Sequence, residues 1–492
     1  MENQDNDLHD EKIIENPELN IWEALIPVFA LVAMLFYNVF YAFGDDALSG
    51  SNQFILLVGA AVAMLIGFRN KVTYKRMMEE VAKNVKSTTG AILILLMVGS
   101  LAGTWMMSGI IPTMIYYGLQ ILSPKIFLAA CVIICAIISI ATGSSWTTSA
   151  TVGIALIGIG ETLGISLGMT AGAVLSGAYF GDKMSPLSDT TNLAPAMAGA
   201  ELFDHIKYMA LTTVPTIIVT VIIFIIIGFG LETTGTPNIA DKLTAIDEAF
   251  NISPLLFIVP ILVIVMIVKK TPPLIALFVG ALLGAIAAVI AQPDIVAKIG
   301  GAESLTFNSA YKGVMNALTV KTSVTTSSAE LNDLFTAKGM VGMLGTIWLI
   351  ICAMVFGGVM DAIGALSKIS AVLLSMSNSI FGLFVSTVAS CLALNVTASD
   401  QYLAIVVPGK MFSKAYKDKG LAPENLSRTL EDAGTVTSVL VPWNTCGAYQ
   451  SGVLGVSVAD YFVYAIFNWL SPFTTLLFAA LGIKIKMLAS KK

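Results

Sequence analysis

The segment Ile217-Ile-Val-Thr-Val-Ile-Ile-Phe-Ile-Ile-Ile227 contains one hydroxyl and no other polar side chain. Residues 255–268 form a second run of the same character. Such runs are typical of helices that cross the hydrocarbon core of a bilayer, which is about 30 Å thick. Of the 492 residues, 56% are hydrophobic and 12% are charged, whereas soluble domains carry about 25% charged residues. The sequence therefore predicts an all-α polytopic membrane protein and excludes a soluble enzyme, a nucleic-acid binder and a secreted disulfide scaffold.

Fourteen apolar runs are present, and the polar stretch 231–253 divides them into two groups of seven. The first group comprises residues 21–43, 53–68, 90–118, 125–141, 146–159, 165–180 and 207–230. The second comprises residues 254–268, 273–291, 340–366, 379–394, 396–408, 434–456 and 459–483.

Basic residues predict the orientation of the chain. Lysine and arginine are concentrated in residues 69–88, 410–428 and 484–492, so these stretches are expected in the cytoplasm. Residues 44–53 and 231–253 contain one base between them and are expected outside. Both termini are then cytoplasmic, with an acidic tail at 1–20 and a basic tail at 484–492. Residues 292–339 become an external loop.

This orientation constrains the middle of each group. If 231–253 is external, residues 125–159 cannot be one simple crossing. They are expected to form a re-entrant hairpin from the outer side, with its tip at Ala141-Thr-Gly-Ser-Ser-Trp146. By the same reasoning, residues 379–408 form a hairpin from the inner side, with its tip at Asn395-Val-Thr-Ala-Ser-Asp400.

The two groups also show weak internal similarity in matching order. The matched pairs are 57–61 with 278–282, 142–145 with 397–400, 182–188 with 432–438, and 192–204 with 444–460. The predicted domains are two inverted-topology repeats, 21–230 and 254–483, joined by an external linker at 231–253. Each is expected to contain about five spans, a re-entrant hairpin and a broken helix. Inverted repeats with broken helices are typical of secondary transporters, whose binding sites lie near the bilayer midplane.

The most polar interruption is Gly181-Asp-Lys-Met-Ser-Pro-Leu-Ser-Asp-Thr-Thr-Asn-Leu-Ala-Pro195. Its acids and hydroxyl oxygens could replace water around a cation, and its two prolines oppose a continuous helix. An unwound, site-forming break is one interpretation. An ordinary cytoplasmic loop is the other.

The counterpart in the second group is Leu430-Glu-Asp-Ala-Gly-Thr-Val-Thr-Ser438. A helix that begins at Pro423 would place Asp432 nine residues on, about 14 Å into the membrane. Glu431 and Asp432 could then reach the midplane. Alternatively, Arg428 forms a structural ion pair with one of them.

The hairpin tips add two groups of hydroxyls, which could bind an ion or bond back to their own helices. Acids are informative here because a buried carboxylate can be neutralised by a proton or by a small cation. If both compete for one carboxylate, and the site reorients only when occupied, transport becomes obligatory exchange.

Other chemistries have little support. The five cysteines and two histidines form no motif typical of a metal or redox site, and no phosphate-binding loop of the ATPase type occurs. Because no nucleophile–base pair is apparent, we expect no enzymatic activity. We also expect no cofactor.

Three motifs resemble the NhaC-type Na+/H+ antiporter family, namely residues 141–149, 181–195 and Val441-Pro-Trp-Asn-Thr-Cys-Gly-Ala448. The resemblance implies a fold of two inverted repeats in a prokaryotic cytoplasmic membrane. It implies export of Na+, or of Li+, in exchange for external protons. Relatives with similar motifs exchange sodium-lactate for proton-malate or carry amino acids, so coupled transport of a small organic anion or amino acid is the alternative. Whether the chain is a monomer or a homodimer stays open.

The leading hypothesis assigns Na+ to Asp182 and Asp189. In the alternative, coupled transport of an organic solute, Lys183 could pair with the carboxylate of the substrate. The other candidate ion- or substrate-binding residues are Ser144, Ser145, Thr148, Ser185, Thr190, Asn192, Thr397, Ser399, Asp400, Glu431, Asp432, Thr435, Asn444 and Thr445.

Overall fold

The structure is a computed structural model that describes residues 13–43, 50–231 and 239–488. Parts of four sequence-based predictions lie outside the described residues. These are the acidic tail at 1–12, the acidic loop at 44–49, the linker at 232–238 and the basic tail at 489–492.

The first half of the chain is helical. Its helices are α1 Ile21–Tyr37, α2 Ser51–Arg69, α3 Tyr74–Ser87, α4 Thr89–Met107, α5 Ile110–Ile121, α6 Pro124–Thr142, α7 Ser145–Thr148, α8 Ile154–Thr162, α9 Leu167–Met184, α10 Asp189–Ala198 and α11 Leu202–Gly230. Two π-helical segments, Asn38–Phe43 and Ser149–Gly153, extend α1 and join α7 to α8.

The second half is also helical, apart from two short antiparallel strands, β1 Thr322–Ser323 and β2 Thr336–Ala337. Its helices are α12 Ile239–Ala249, α13 Ile258–Val268, α14 Pro273–Ala291, α15 Pro293–Ile299, α16 Phe307–Thr319, α17 Ala329–Leu334, α18 Leu344–Ala362, α19 Ala365–Ser375, α20 Ile380–Thr397, α21 Gln401–Asp418, α22 Pro423–Leu430, α23 Thr445–Leu454, α24 Val458–Phe462 and α25 Ile466–Ala480. A π-helical turn at Glu431–Thr435 follows α22, and 3-10 turns occupy Pro254–Phe257, Met340–Met343 and Ser438–Leu440.

Eight helices in the described residues are long and apolar enough to cross a membrane. A ninth span results if α12 and residues 254–268, which are bent by 83° relative to each other, are taken together. The eight are Ile21–Phe43, Ser51–Arg69, Thr89–Met107, Pro124–Thr142, Leu202–Gly230, Pro273–Ala291, Met340–Ala362 and Ile380–Thr397. The prediction of a helical, multi-pass membrane protein is confirmed, whereas the other predicted spans correspond to shorter, broken or more polar helices.

Two predicted spans are broken at a glycine. The run 90–118 divides into α4 and α5 at Gly109, which has a φ of +80°. The run 340–366 divides into α18 and α19 at Gly364, which has a φ of +79°. The apolar runs do not locate these breaks, because glycine adopts the left-handed conformation that ends a helix and hydropathy does not detect it.

The runs 434–456 and 459–483 are not continuous helices either. The first contains a 3-10 turn and an irregular stretch before α23 begins at Thr445. The second is interrupted at residues 463–465, between α24 and α25. The first break follows from Asn444, whose side chain caps the N-terminus of α23 and so begins a new helix.

The polar interruption at 181–195 is shorter than predicted. Helix α9 extends to Met184, so Asp182 and Lys183 lie in its last turn, and only residues 185–188 are unwound. Pro195 lies inside α10 and does not break it. Because Pro195 is near the end of a short helix, the loss of one backbone donor is tolerated there.

Helices α6 and α9 pack closely and bring the two breaks together. A Cβ atom at Gly177 would lie 2.2 Å from the Val132 carbonyl oxygen, and one at Gly181 would lie 2.5 Å from the Ser139 Cβ. Small residues permit this approach between membrane helices. Since α6 has 19 residues, its length of about 28 Å would suit a full crossing as well as one arm of a hairpin. The re-entrant arrangement stays a prediction.

Candidate ion-binding site

Asp182 and Ser145 form the centre of the site in the first half. The Asp182 carboxylate accepts hydrogen bonds from the Ser145 hydroxyl at 2.6 Å and from its backbone N–H at 3.1 Å. Ser144 caps the same helix start by accepting from the Thr147 N–H at 3.2 Å. An acidic group is stabilised at a helix N-terminus because the first N–H groups have no partner within the helix. Asp182 is half-buried, in contrast to the fully buried Asp432.

The other hydroxyls predicted in this half mostly bond to backbone. Thr148 donates to the Ser144 carbonyl at 2.9 Å, and Ser185 donates to the Ile140 carbonyl at 2.8 Å. Thr190 lies 3.2 Å from the Ser188 hydroxyl. Of these three contacts, the one from Ser185 to Ile140 links the two breaks, and the other two lie within a single break.

Asp189 and Asn192 are exposed, in contrast to the enclosed Na+ ligands that the leading hypothesis expected. The Asn192 amide donates to the carbonyls of Ser188 at 2.7 Å and Pro186 at 3.0 Å. It therefore closes the turn before α10. Because residues 185–188 turn away from α9, Asp189 begins a new helix in which its side chain is accessible.

Lys183 and Asp432 form a fully buried ion pair between α9 and the π turn after α22. The Asp432 carboxylate also accepts hydrogen bonds from three hydroxyls, which sequence reasoning missed. These are Thr212 at 3.0 Å on α11, and Ser471 at 3.1 Å and Thr475 on α25. Each of these hydroxyls lies in an apolar helix. From the sequence alone, an isolated hydroxyl in such a helix does not indicate which group it binds. In this conformation Lys183 binds an internal carboxylate, rather than the substrate carboxylate proposed for it.

Glu431 has the opposite surroundings to Asp432. It is fully buried, yet neither of its oxygens accepts a hydrogen bond of good geometry from any residue that the structure describes. The hydroxyls of Thr190 and Thr435 and the ammonium of Lys183 lie close to it. Helix α22 begins at Pro423, as predicted, and carries both acids into the interior.

Arg428 forms no ion pair with either acid, so the alternative of a structural pair was wrong. Its three guanidinium nitrogens are buried and donate no hydrogen bond within residues 13–43, 50–231 and 239–488. The guanidinium instead lies over the Tyr208 ring, 4.6 Å from its centroid. Asp432 is unavailable because Lys183 and three hydroxyls already surround its carboxylate.

The second hairpin tip contains Asp400, which caps a helix, and two hydroxyls that have no hydrogen-bond partner in the part of the chain that the structure describes. Asp400 caps α21 by accepting from the N–H groups of Tyr402 at 2.8 Å and Leu403 at 3.1 Å. Thr397 and Ser399 are buried, and their hydroxyls have no hydrogen-bond partner among the described residues. Ser399 also has a φ of +60°, an unusual backbone conformation for a serine.

Asn444 and Thr445 connect this tip to the break after α22. The Asn444 amide donates to the Asn395 carbonyl at 3.1 Å, and the Thr445 N–H donates to the Ser399 carbonyl at 2.9 Å. Asn395 in turn donates to the Gly434 carbonyl at 2.8 Å. The predicted residues of the second half therefore do come together.

Tyr402 and Tyr449 join the two halves and were not predicted. Tyr402 lies within electrostatic range of Asp182 and Asp189 from the first half and of Asp400 from the second. Tyr449 stacks on Trp146, with ring centroids 3.9 Å apart. Tyr402 lies two residues from the predicted tip, which was the available sequence signal.

The described residues contain no group of three His, Cys, Asp or Glu side chains placed to hold a metal ion. Instead, one carboxylate per half lies at a helix break and accepts hydrogen bonds from hydroxyls, Asp182 from Ser145 and Asp432 from Thr212, Ser471 and Thr475. Oxygen ligands of this type suit hard cations rather than transition metals.

Comparison with known sequences identifies the family. Residues 177–483 match the Na+/H+ antiporter family model. The chain is 39% identical over 440 residues to the Na+/H+ antiporter NhaC of Alkalihalophilus pseudofirmus, covering 89% of this chain and 92% of that protein. The chain belongs to the Na+/H+ antiporter family.

Other members of similar length differ in their named substrates. The malate-2H+/Na+-lactate antiporter of Bacillus subtilis is 38% identical, covering 88% of each chain. The arginine/ornithine antiporter ArcD of Halobacterium salinarum is 31% identical, covering 94% of this chain and 93% of its own. Members of the family are thus named as transporters of inorganic cations and of organic solutes.

Proposed function

We propose that this protein exports Na+, or Li+, in exchange for external protons across a prokaryotic cytoplasmic membrane. The observation that carries the proposal is the Asp182 carboxylate, half-buried at the junction of two helix breaks and bonded to the hydroxyl and N–H of Ser145. Its relatives named Na+/H+ antiporters support the same function. The cycle uses Na+ and protons and requires neither a cofactor nor a chemical conversion.

In this mechanism Na+ and a proton compete for Asp182. The Ser145 hydroxyl now donates to the carboxylate, and it can rotate to present a lone pair to Na+. The hydroxyl oxygens of Ser144, Thr148, Ser185 and Thr190 complete the candidate ligand set. Because an ionised, unoccupied carboxylate is costly to carry through an apolar interior, only the loaded site reorients.

The pair of Lys183 and Asp432 keeps a second carboxylate permanently compensated beside this site. Asp182 is then the carboxylate that is neutralised in turn by a proton and by Na+ during the cycle. Thr397, Ser399, Glu431 and Thr435 would provide the pseudo-symmetric oxygens.

Two inverted repeats, 21–230 and 254–483, are the proposed architecture. The broken helices α4–α5 and α18–α19 bend at glycines of nearly equal φ, +80° and +79°. If residue 142 corresponds to 397 and residue 182 to 432, the contact between Ser185 and the Ile140 carbonyl has a counterpart between Asn395 and the Gly434 carbonyl, shifted by one residue and with donor and acceptor exchanged. These matched contacts support the repeat.

We place both termini in the cytoplasm, on the basis of the lysines and arginines in 69–88, 410–428 and 484–492. The linker 231–253 and the loop 292–339 then face outside. The oligomeric state, monomer or homodimer, is a separate question for the purified protein.

Proteoliposomes with an imposed pH gradient test the exchange. NaCl or LiCl added to vesicles of the wild-type protein should dissipate the gradient. Asp182→Asn should abolish the response, whereas Asp189→Asn, at an exposed position, should retain most of it. A wild-type protein that responds to neither Na+ nor Li+ without an organic solute would exclude simple cation/proton exchange.

Coupled transport of an organic anion or amino acid is the second candidate. It is favoured by Arg428, a buried guanidinium without a hydrogen-bond acceptor in the described residues, since this group matches a carboxylate in geometry and charge. Uptake of labelled malate, lactate and amino acids tests it. Under this candidate, Arg428→Gln should abolish solute uptake more strongly than Arg428→Lys.

A further inference from the structure

Residues 484–488, which we call the tail segment, lie along residues 420–425 at the start of α22. Leu421 and Met487 form an isolated antiparallel bridge. Two backbone hydrogen bonds of 2.9 and 2.8 Å flank it, donated by the N–H groups of Ala422 and Leu488 to the carbonyls of Lys486 and Gly420. The tail segment is therefore held in a defined register.

Side chains attach the same segment to two helices. On α11, the Tyr208 hydroxyl donates to the Lys484 carbonyl at 2.5 Å. On α22, Asn425 donates to the Lys486 carbonyl at 2.6 Å, and Glu424 forms an ion pair of 2.5 Å with the Lys486 ammonium. The tail segment thus bridges α11 and the helix that carries Glu431 and Asp432.

Several side chains on α22 and α11, next to this bridge, are fully buried. Arg428 and Asp432 have no exposed surface, and neither does His205 on α11. Tyr208, which binds the tail segment, also stacks on Arg428. Tyr208 therefore connects the tail segment to the buried guanidinium of Arg428, which lies on α22 shortly before Glu431 and Asp432.

The bridge is nevertheless weakly held. Met487 is 54% exposed and Leu488 42% exposed, so little apolar surface is buried by docking. The Glu424 carboxylate raises the pKa of Lys486 above its usual range, which keeps the ammonium charged and the ion pair intact near neutral pH. Segments held by few apolar contacts and by accessible hydrogen bonds open at low free energy.

We propose that the tail segment is a latch that closes this end of the transporter and must release from residues 420–425 in every transport cycle. The proposal rests on the proposed exchange function. Release would free the start of α22 and Tyr208 together, so that α22, which leads into Glu431 and Asp432, can move relative to α11.

A disulfide across the bridge tests this directly. Leu421 and Met487 are a non-hydrogen-bonded antiparallel pair, whose Cα atoms are about 4.5 Å apart, a separation that a disulfide spans. In the double variant Leu421→Cys/Met487→Cys, oxidation should slow Na+-driven dissipation of the pH gradient by about tenfold or more, and a reductant should restore it. The two single-cysteine variants are matched controls and should not respond to oxidant, because all five native cysteines are buried.

A locked protein that transports within twofold of the reduced protein would overturn the latch. If the reduced variant and the wild type both fail to respond to Na+, that result contradicts the proposed exchange function rather than the latch.

Hydrogen–deuterium exchange on the unmodified protein in liposomes tests the latch proposal without a transport assay. Under a pH gradient with Na+ present, the amides of Ala422 and Leu488 should exchange about fivefold faster than in its absence, as expected for local opening. Unchanged rates at both amides would overturn the proposal.

Discussion

Glu431 and Asp432 are adjacent in the chain, but their side chains have different surroundings. Asp432 receives the Lys183 ammonium and three hydroxyls, whereas Glu431 has no well-formed hydrogen bond from any described residue. A buried ionised group is tolerated when it is paired and fully hydrogen-bonded. At the residue scale, we therefore propose that Asp432 is a structural charge and that Asp182, which is half-buried and accepts from two donors, is the cation ligand.

The buried pair predicts a specific stability pattern. Lys183→Met or Asp432→Asn alone leaves one uncompensated buried charge and should cost about 3–5 kcal/mol of unfolding free energy. The double variant Lys183→Met/Asp432→Asn removes both charges and should recover most of the loss. Thermal unfolding in detergent measures this, and a double variant less stable than both single variants would contradict the pairing.

Ser145 gives a prediction for cation affinity. Removing its hydroxyl deletes both a donor to Asp182 and a candidate Na+ ligand, so Ser145→Ala should weaken the apparent Na+ affinity about tenfold, equivalent to about 1.4 kcal/mol. Ser139→Ala is the matched control, since this hydroxyl donates to the Ala178 carbonyl and does not contact the carboxylate. Equal effects of the two substitutions on Na+ concentration dependence would count against a ligand role for Ser145.

At the scale of elements, the helix breaks contribute more to the candidate ion-binding site than the continuous spans do. Gly143 ends α6 with a φ of +69°, and Asp400 and Asn444 begin α21 and α23. Each break leaves backbone groups that the membrane cannot satisfy. The structure satisfies many of them by placing the breaks against one another, which also collects the oxygen atoms in one place.

Substitution of Gly143 tests whether the first helix break tolerates a side chain at this position. A Cβ at this position would combine an unfavourable φ with a 2.6 Å approach to the Leu187 Cβ. Gly199 has a φ of +80° but no described atom within 4 Å of such a Cβ. Gly199→Ala should therefore cost about 1–2 kcal/mol, the conformational penalty alone, and Gly143→Ala about 1–3 kcal/mol more.

Thermal unfolding with and without Na+ separates the two glycine variants. Gly143→Ala should also lose stabilisation by Na+, because the clash displaces the break that carries Ser145. Equal midpoints for the two variants would show that the contact with Leu187 is not restrictive.

At the scale of the whole molecule, the proposed orientation makes a labelling prediction. Cysteines introduced at Lys75 and Lys417 should react with a membrane-impermeant maleimide in inside-out vesicles only. A cysteine at Lys312 should react in right-side-out vesicles only. The native cysteines are buried and should give a low background. Labelling of Lys75→Cys and Lys312→Cys from the same side would refute the assignment of 292–339 to the exterior.

Much of the helical framework could be predicted from the sequence, because its causes are local. Apolar runs of sufficient length predict spans such as Leu202–Gly230, and Pro423 predicts the start of α22. The helix breaks at Gly109 and Gly364 were not predicted. A hydropathy average over many residues does not detect the single glycine that ends a helix. The helix break near residue 143 was found because glycine and serine occur there together.

The sequence by itself determined a multi-pass helical membrane protein, the positions of many helix ends and the polar residues at the main breaks. It could not determine which charges pair. Lys183 and Asp432 are 249 residues apart, and the hydroxyls around Asp432 come from α11 and α25. Only the packing of these helices decides that Asp432 is satisfied while Arg428 and Glu431 are not. Helix formation depends on contacts within one turn of the chain, whereas the partner of a buried charge depends on which helices lie beside it.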